Sequence, residues 1–222
     1  MSVRSKKSTA NIGLVLLIFA VAVVVGYFLL APKEKLPVYS PSDVNPRLVD
    51  YSVQHIRKNH KISDFNLINQ AGDTVTNDTY KNKIYVADFF FTRCATICPI
   101  MTGNMAELQK IYKDDDEVML LSHSVTPVID SVPILKMYAE NKGIDQEKWN
   151  ITTGDKKHIY ELARKSYFAT LDEGDGGEQD FIHTEQFILV DKKRQIRGYY
   201  DGTDKEEIER IKKDIEILKK EQ

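Results

Sequence analysis

The two cysteines of this 222-residue chain, Cys94 and Cys98, are separated by three residues and followed directly by Pro99. A proline is tolerated in a helix only within the first turn, so the sequence predicts a helix that begins at or just before Cys98. The unpaired N–H groups and the dipole at a helix N-terminus favour thiolate over thiol. Thiolates bind metal ions and attack disulfides, so this pair is the leading candidate for chemistry.

Three interpretations of the pair stay open on the residues alone. A structural disulfide would close a very short loop and would contribute little through the entropy of the unfolded chain. A redox-active dithiol is the second, although its three-residue spacer departs from the common two-residue one. The third is a site for a soft metal such as Cu(I), which two neighbouring thiolates suit. Two cysteines cannot build a multi-disulfide framework or a four-thiolate zinc or iron–sulfur site within one chain.

The residues before the pair predict the strand that positions it. Residues 84–91 read Ile-Tyr-Val-Ala-Asp-Phe-Phe-Phe, which is typical of a central strand covered on both faces. The cysteines therefore follow the carboxyl end of a strand, where open α/β sheets build their sites. Asp88 is the exception in this apolar run. Either burial raises its pKa and it accepts a proton from a nearby thiol, or its side of the strand is open to water.

The remaining elements alternate between strands and helices. Apolar spacing predicts a hairpin around the turn at 70–73, a helix after Pro99, a strand at 118–125, helices near 134–139 and 159–167, a hairpin across 187–200 and a last helix across 208–218. This order predicts an α/β fold, a mixed sheet flanked by helices. Met101 and Met105 have sulfurs soft enough for Cu(I), but they fall on an apolar helix stripe, so core packing is favoured.

A long apolar run near the N-terminus predicts a membrane anchor. Residues 12–30 contain no charge, and as a helix they are long enough to cross about 30 Å of hydrocarbon. Arg4, Lys6 and Lys7 precede the run without an acid, so the N-terminus is expected in the cytoplasm and the rest of the chain outside it. A cleaved signal peptide is the rival interpretation. The uncleaved anchor is favoured because the run is long and its Ala-x-Ala pattern lies inside it.

These patterns divide the chain into four predicted segments: a cytoplasmic basic stub at 1–11, a transmembrane anchor at 12–31, a Pro-rich linker at 32–58 and one exported domain at 59–222. Four of the seven prolines lie between residues 32 and 46, which predicts an extended spacer that holds the domain off the membrane. The chain has 31 Lys+Arg against 33 Asp+Glu. This balance does not indicate the broad basic surface that binds nucleic acid, and no nucleic-acid partner is expected.

Charged and imidazole side chains elsewhere are weaker candidates. The acidic run 172–180 lacks the residue spacing of a calcium loop and is predicted to be a mobile, solvated loop. His123 ends an apolar strand and is predicted to pack in the core, whereas His55, His60 and His158 are expected at the surface. His183 would be a weak candidate ligand by itself, because a single histidine more often has a structural or surface role.

The run from Asp88 to Met101 resembles the cysteine motif of the Sco/SenC family, which are copper-binding, thioredoxin-like proteins that assist the assembly of cytochrome c oxidase. The resemblance covers about residues 60–220. The family's third ligand, a histidine just before a late strand, is matched by His183-Thr184. The family pattern Phe-x-Phe-Thr-x-Cys-x-x-x-Cys-Pro is matched here by Phe89, Phe91, Thr92, Cys94, Cys98 and Pro99.

The chain departs from the family at one position of a second motif. Where the family often reads Val-Asp-Pro-x-x-Asp-Thr, residues 125–131 read Val-Thr-Pro-Val-Ile-Asp-Ser. The first acid of the motif is therefore Thr126. If that acid supports the site or docks a partner in the family, those properties differ in this chain.

The resemblance implies a thioredoxin-like fold and a site in which Cys94, Cys98 and His183 bind a copper ion, as Cu(I) and, with an added ligand, as Cu(II). It implies a metallochaperone in the inner (cytoplasmic) membrane, with its C-terminal domain facing the periplasm or extracytoplasmic space. Its expected partners are subunit II of cytochrome c oxidase, which takes the copper into a dinuclear site, and an upstream thiol reductant or copper donor. Such a carrier breaks no substrate bond and is not a classical enzyme.

Two alternatives use the same residues. In a thiol-disulfide oxidoreductase, Cys94 attacks a target disulfide and Cys98 resolves the mixed disulfide. The cysteines of the oxidase are one candidate target. A redox or copper sensor would use the same ligands to signal to a partner. His183 separates the first alternative from the chaperone, because copper binding needs the imidazole and thiol exchange does not.

Overall fold

The computed structural model describes residues 4–30, 34–170, 174 and 176–221, with residues 4–12 and 28–30 described by their backbone alone. The chain divides into two compact units, Met1–Glu34 and Lys35–Gln222. The first unit contains helix α1 (Arg4–Leu30). Across the described part of the chain, no helix combines the length and apolar character that a membrane span requires. The predicted stub at 1–11 and anchor at 12–31 lie partly outside the described residues and stay predictions.

The described part of the second unit contains one seven-stranded mixed sheet in the order β2-β1-β5-β4-β3-β6-β7. The central strands β3 and β4 run parallel, as do β4 and β5, whereas β3 and β6 are antiparallel. The strands are β1 (Asn66–Asn69), β2 (Thr74–Thr76), β3 (Ile84–Phe90), β4 (Val118–Ser124), β5 (Trp149–Thr153), β6 (Gln186–Val190) and β7 (Ile196–Asp201). The predicted α/β architecture and both predicted hairpins, β1–β2 and β6–β7, are confirmed.

The helices of the second unit cover both faces of this sheet. They are α2 (Cys98–Ile111), α3 (Val132–Lys142), α4 (Lys156–Glu161), which continues into a π-helical turn at Leu162–Ser166, and α5 (Lys205–Lys220). Met101 and Met105 are fully buried in the core that α2 shares with the sheet, so the prediction that they pack is confirmed. Ile208, Ile211 and Ile215 bury the apolar face of α5 in the same core.

All seven residues of β3 are buried, as the apolar run predicts. Successive side chains of a strand point to opposite faces, so the even-numbered residues share one face. Ile84, Val86 and Phe90 belong to the core that contains Cys98, and the odd-numbered Tyr85 belongs to the core on the other face. Asp88 is therefore on the face that packs against α2 and the buried cysteine.

The residues predicted as an extended linker pack on the domain instead. The compact unit begins at Lys35, ahead of the predicted domain boundary at residue 59. The backbone N–H of Tyr39 donates to the carbonyl of Ile196 at 2.9 Å, which adds a bridge to β7. Val49 is fully buried in the core. One histidine also differs from expectation: His60 is buried, with its Nε2 at 2.7 Å from the carbonyl of Ser166.

Arg197 explains why this segment is held. Its buried guanidinium donates to the carbonyls of Leu36 and Pro37 at 2.7 and 2.8 Å. The same guanidinium pairs with Asp191 at 2.9 Å and with Glu221 at 2.5 Å. A buried charge requires partners on every side, and the linker carbonyls supply two of them. This contact depends on residues 160 positions apart in the chain, so local sequence patterns do not reveal it.

We expect Arg197→Gln to lower the free energy of unfolding by about 3 kcal/mol, because it leaves the buried carboxylate of Asp191 and the half-buried carboxylate of Glu221 without their cation. Urea denaturation followed by circular dichroism measures this change. Lys205→Gln is the control: it removes a cation that is 75% exposed, and it should cost less than about 1 kcal/mol. Equal effects of the two changes would contradict the assigned role of Arg197.

Candidate functional site

The cysteine pair lies where the sequence places it: Cys94 is in the loop from β3 to α2, and Cys98 is the first residue of α2. Helix α2 begins at Cys98 with Pro99 in its first turn, which confirms the predicted helix start. Cys98 is buried, Cys94 is half-buried, and both are free thiols. The backbone N–H of Cys98 donates to Sγ of Cys94 at 3.4 Å. The helix start therefore directs a hydrogen bond at the outer sulfur, and the two sulfur-bearing side chains are neighbours.

The two thiols have opposite pKa shifts. Burial alone would raise the pKa of Cys94, but hydrogen bonds from the thiol and N–H of Cys98 and from Thr96 outweigh burial and lower the pKa to about 7. Burial, reinforced by neighbouring Cys94 and Asp88, raises the pKa of Cys98 to about 12. The sequence argument predicts thiolate character for both cysteines, and only Cys94 has it. The outer sulfur is thus the one that loses its proton more readily, whereas the inner one keeps its proton at neutral pH.

Asp88 is buried beneath the pair. Its side chain is on the face of β3 that packs against α2, and the residue is only 2% exposed, so the interpretation that it faces water is wrong. Burial raises its pKa to about 7, and a hydrogen bond with the Ser122 side chain opposes the shift. Its Oδ1 has no hydrogen-bond partner among the described residues. Asp88 is therefore a carboxyl group that changes charge near neutral pH, close enough to influence the pKa of Cys98.

A second buried acid, Asp130, holds the cysteine loop in place. Its carboxylate accepts hydrogen bonds from the N–H and hydroxyl of Thr92, at 3.2 and 2.5 Å. It also accepts from the hydroxyls of Ser124 at 2.5 Å and Thr126 at 3.0 Å. Thr92 lies in the loop that carries Cys94, two residues before it, whereas Ser124 ends β4. Asp130 thus joins the two loops that leave the carboxyl ends of the central strands.

The Asp130 contacts give Thr126, where the chain departs from the family motif, a specific role. A threonine hydroxyl donates a hydrogen bond to the Asp130 carboxylate. An aspartate at the same position would bring a second negative charge to a buried carboxylate, which is unfavourable unless one of the two is protonated. In this chain Thr126 therefore adds a hydrogen-bond donor, not a second acid, beside the carboxylate that holds the cysteine loop.

His183 is exposed on the loop that precedes β6, next to buried Thr184. The structure brings the loops of the two cysteines and His183 into contact, because the rings of Phe91 and Phe181 meet edge to face with centroids 5.2 Å apart. Within the described residues, no three His, Cys, Asp or Glu side chains form a group that could already hold a metal. The structure therefore brings Cys94 and Cys98 together, but it does not cluster His183 with them.

The other predictions about single residues have mixed outcomes. His123 is fully buried, as predicted, and its Nδ1 is 3.1 Å from the hydroxyl of Thr152. The acidic run 172–180 includes residues 172, 173 and 175, which lie outside the described residues. Its last member, Asp180, is not solvated: its side chain is 7% exposed and pairs with Arg164 at 2.6 Å. Composition alone misses such an acid, because the cation that pairs with it belongs to a distant helix.

A known protein family matches most of the chain. The sequence profile of the family described as SCO1/SenC matches residues 53–219. The chain belongs to the SCO1/SenC family. A SCO1 protein homolog of Bacillus subtilis is 34% identical over 159 residues, which cover 71% of this chain and 82% of the relative. The resemblance noted in the cysteine motif is thus confirmed over most of the second unit.

Solved structures of the SCO1/SenC family have the same fold as this chain. A SCO1/SenC family lipoprotein from Bacillus anthracis aligns with a TM-score of 0.64 and 32% identity, covering 72% of this chain and 96% of the other. BsSco, described as a member of the Sco family of cytochrome c oxidase assembly proteins, aligns with a TM-score of 0.63 and 32% identity, covering 74% and 96%. The mixed α/β, thioredoxin-like architecture expected from the sequence is therefore confirmed.

The different thiol pKa values predict selective alkylation of this SCO1/SenC protein. Iodoacetamide reacts with thiolate, so labelling of Cys94 should rise with pH around a midpoint of about 7. Cys98, with a pKa of about 12, should stay unlabelled over the same range. Peptide mass spectrometry after timed labelling measures both rates. Denatured protein is the control, in which both thiols should share the ordinary midpoint of ~8.5; one common midpoint in the folded protein would refute the asymmetry.

The raised pKa of Asp88 predicts that the effect of Asp88→Asn on stability depends on pH. The pKa of Asp88 rises from 3.8 to about 7, so the folded state holds a proton that the unfolded state releases, and stability falls as pH rises through this window. Asp88→Asn abolishes this loss of stability, which is on the order of 4 kcal/mol between a pH below 3.8 and a pH above 7. Urea denaturation at one pH on each side of this window measures the free energy of unfolding. Asp114→Asn, at a side chain 88% exposed, controls for the lost charge; identical pH profiles for wild type and Asp88→Asn would contradict the burial argument.

Proposed function

We propose that this chain is a membrane-anchored copper chaperone that delivers copper to the dinuclear site of cytochrome c oxidase subunit II. In this proposal Cys94, Cys98 and His183 bind one copper ion as cargo. The observation that carries it is the cysteine pair itself: both thiols are free, the backbone N–H of Cys98 at the helix start donates to the sulfur of Cys94, and the pKa of Cys94 is about 7. This pair lies in a SCO1/SenC domain.

The chemistry of the donor set suits copper. Two sulfur ligands select soft ions such as Cu(I), and a neutral imidazole adds a ligand that also accepts Cu(II). Ligands must be deprotonated to bind, so copper has to displace the proton of Cys98, and its affinity should increase with pH. Half-buried Cys94 and exposed His183 leave the site open. An acceptor could therefore exchange ligands with the ion without unfolding the domain.

Relatives support the proposed cargo. Bradyrhizobium japonicum ScoI has been solved with copper bound, and it aligns with a TM-score of 0.57 and 22% identity, covering 72% of this chain and 99% of the other. Yeast Sco1 has also been solved with copper bound, with a TM-score of 0.55, 20% identity and coverage of 71% and 90%. At this identity the alignments show a shared fold, and the copper is a property of those two proteins. We extend it to this chain because the cysteine pair is in place.

The proposed location follows from the N-terminal sequence. We propose that residues 12–31 anchor the chain in the inner membrane and that the second unit faces the periplasm or extracytoplasmic space. In an oxidising compartment the pair would close to a disulfide, which cannot bind copper as two thiolates. A thiol reductant must therefore act before loading, and a copper donor must supply the ion.

Thiol-disulfide exchange is a second candidate function, favoured by the opposite pKa shifts of the two cysteines. The Cys94 thiolate would attack a target disulfide, forming a mixed disulfide and releasing the first target thiol. Cys98 would then lose its proton and attack the Cys94 sulfur, closing the Cys94–Cys98 disulfide and releasing the second target thiol. Two electrons pass from this pair to the target. A disulfide switch has been identified in the relative BsSco. A redox or copper sensor would use the same groups.

An anaerobic Cu(I) titration of the reduced full-length chain in detergent, against a competing chelator, tests the proposed function. We expect one tightly bound ion. Cys94→Ala or Cys98→Ala should abolish tight binding because each removes a thiolate, and His183→Ala should weaken binding ~10-fold or more.

His55→Ala is the matched control, because it removes an exposed imidazole outside the site and should leave affinity unchanged. Weak Cu(I) binding by the wild type, or an affinity that His183→Ala leaves unchanged, would contradict the copper proposal. The reduction potential of the Cys94–Cys98 pair would then become the informative number, because thiol exchange needs no imidazole.

A further inference from the structure

Three side chains spaced four residues apart form hydrogen bonds and an ion pair with the loop that leads to His183. Lys156, Tyr160 and Arg164 lie along α4 and the π-helical turn that follows it. A spacing of four places residues on one side of a helix. Both cations lie over the Tyr160 ring, with Lys156 Nζ at 4.9 Å and the Arg164 guanidinium at 5.4 Å from its centroid. We call these three residues the loop clamp.

The strongest contact of the loop clamp is a buried ion pair. The guanidinium of Arg164 donates two hydrogen bonds to the carboxylate of Asp180, at 2.6 and 2.8 Å. The two side chains are 6% and 7% exposed. The N–H of Gly176 also donates to this carboxylate at 2.7 Å. The guanidinium beside it is the main cause that lowers the pKa of Asp180, so the pair stays charged.

The other two members of the clamp bind the backbone of the same loop. Lys156 donates to the carbonyls of Gly177, Glu178 and Asp180, at 2.6, 3.2 and 2.7 Å. The hydroxyl of Tyr160 accepts from the N–H of Ile182 at 3.4 Å and lies 3.2 Å from the carbonyl of Asp180. The bonds therefore extend along the chain to the residue immediately before His183.

The clamp also connects this loop to the rest of the site. The Tyr160 hydroxyl lies 2.9 Å from the carbonyl of Val125, just past the end of β4 and one residue before Thr126. Phe181, within the clamped loop, packs against Phe91 at the start of the cysteine loop. The position of the loop is thus fixed relative to the cysteines from both sides.

A buried ion pair is a poor means of gaining stability, because the cost of desolvating both charges offsets much of their attraction. Its two parallel hydrogen bonds do fix geometry, since a guanidinium and a carboxylate meet in one orientation. The π-helical turn at Leu162–Ser166 is also a rare conformation that is frequent at functional sites. A loop needed merely to cover the core could be held by apolar contacts, as Phe181 and Ile182 already provide.

We propose that Arg164 and Asp180 are positioning residues for His183, holding its loop so that the imidazole is presented to the cysteine pair as the third copper ligand. This inference rests on the proposed function, because it assigns the support of a ligand that the function requires. Neither residue touches the ion. They act on copper affinity through His183 alone.

A double-mutant cycle in the full-length protein tests this. Arg164→Gln should weaken Cu(I) binding ~10–100-fold, the range for residues that orient a metal ligand. The double change Arg164→Gln with His183→Ala should bind no more weakly than His183→Ala alone, because both remove the same ligand contribution. In the Cu(II) form, Arg164→Gln should reduce the nitrogen hyperfine splitting seen by electron paramagnetic resonance. Asp180→Asn is the second variant, and it should shift both readouts in the same direction.

Arg197→Gln is the matched control, because it breaks an equally buried Arg–Asp pair, with side chains 8% and 10% exposed, in a different part of the domain. It should leave copper affinity and the nitrogen signal unchanged. Hydrogen exchange of the metal-free protein adds a readout without copper: Arg164→Gln should accelerate exchange in 176–182 and leave β3 protected.

The outcomes separate the two proposals. If His183→Ala does not weaken binding in the wild-type background, the proposed function fails and this inference fails with it. If His183→Ala weakens binding but Arg164→Gln and Asp180→Asn do not, the inference alone is overturned. Additive losses in the double variant, or an equal loss in Arg197→Gln, would overturn it as well, since Arg164 would then act through general stability.

Discussion

The complete burial of β3 is the constraint on which the site depends. A strand with all seven residues buried presents no side chain to a ligand or partner at the surface, so accessible groups must lie where the chain leaves the sheet. The cysteines occupy that exit: Cys94 lies in the loop after β3, and Cys98 lies in the first turn of α2. Because both ends of this loop are fixed by the core, the helix N–H of Cys98 is directed at the sulfur of Cys94.

Three buried carboxyl groups around this exit have different environments and different roles. Asp130 accepts four hydrogen bonds and fixes the start of the cysteine loop. Asp180 is paired with a guanidinium and holds the loop that leads to His183. Asp88 has an oxygen without a partner among the described residues and titrates near neutral pH. Two of these acids therefore set geometry, whereas the third is suited to exchange a proton near the inner thiol.

The sequence was informative wherever a local pattern determines the structure. The apolar run gives β3, the proline gives the start of α2, and the apolar stripe gives the packing of Met101 and Met105. Asp130, Arg164 and Arg197 were missed as structural residues because each acts through partners from other elements. The packing of residues 35–58 was missed for the same reason, since prolines indicate an extended backbone but not the surface to which it binds.

The place of His183 among the expected ligands came from the family motif. The structure shows the His183 loop in contact with the cysteine loop, but among the described residues it shows no cluster that joins His183 to the cysteines.

Copper transfer tests the central claim most directly. The copper-loaded full-length protein would be mixed with the metal-free copper-binding domain of cytochrome c oxidase subunit II, with a chelator present to capture released ions. The account predicts that the visible absorption of a dinuclear copper site appears despite the chelator, because the ion passes by ligand exchange between the two proteins. If the chelator takes all of the copper, or if the subunit II domain stays empty while the donor stays loaded, the chaperone account is contradicted.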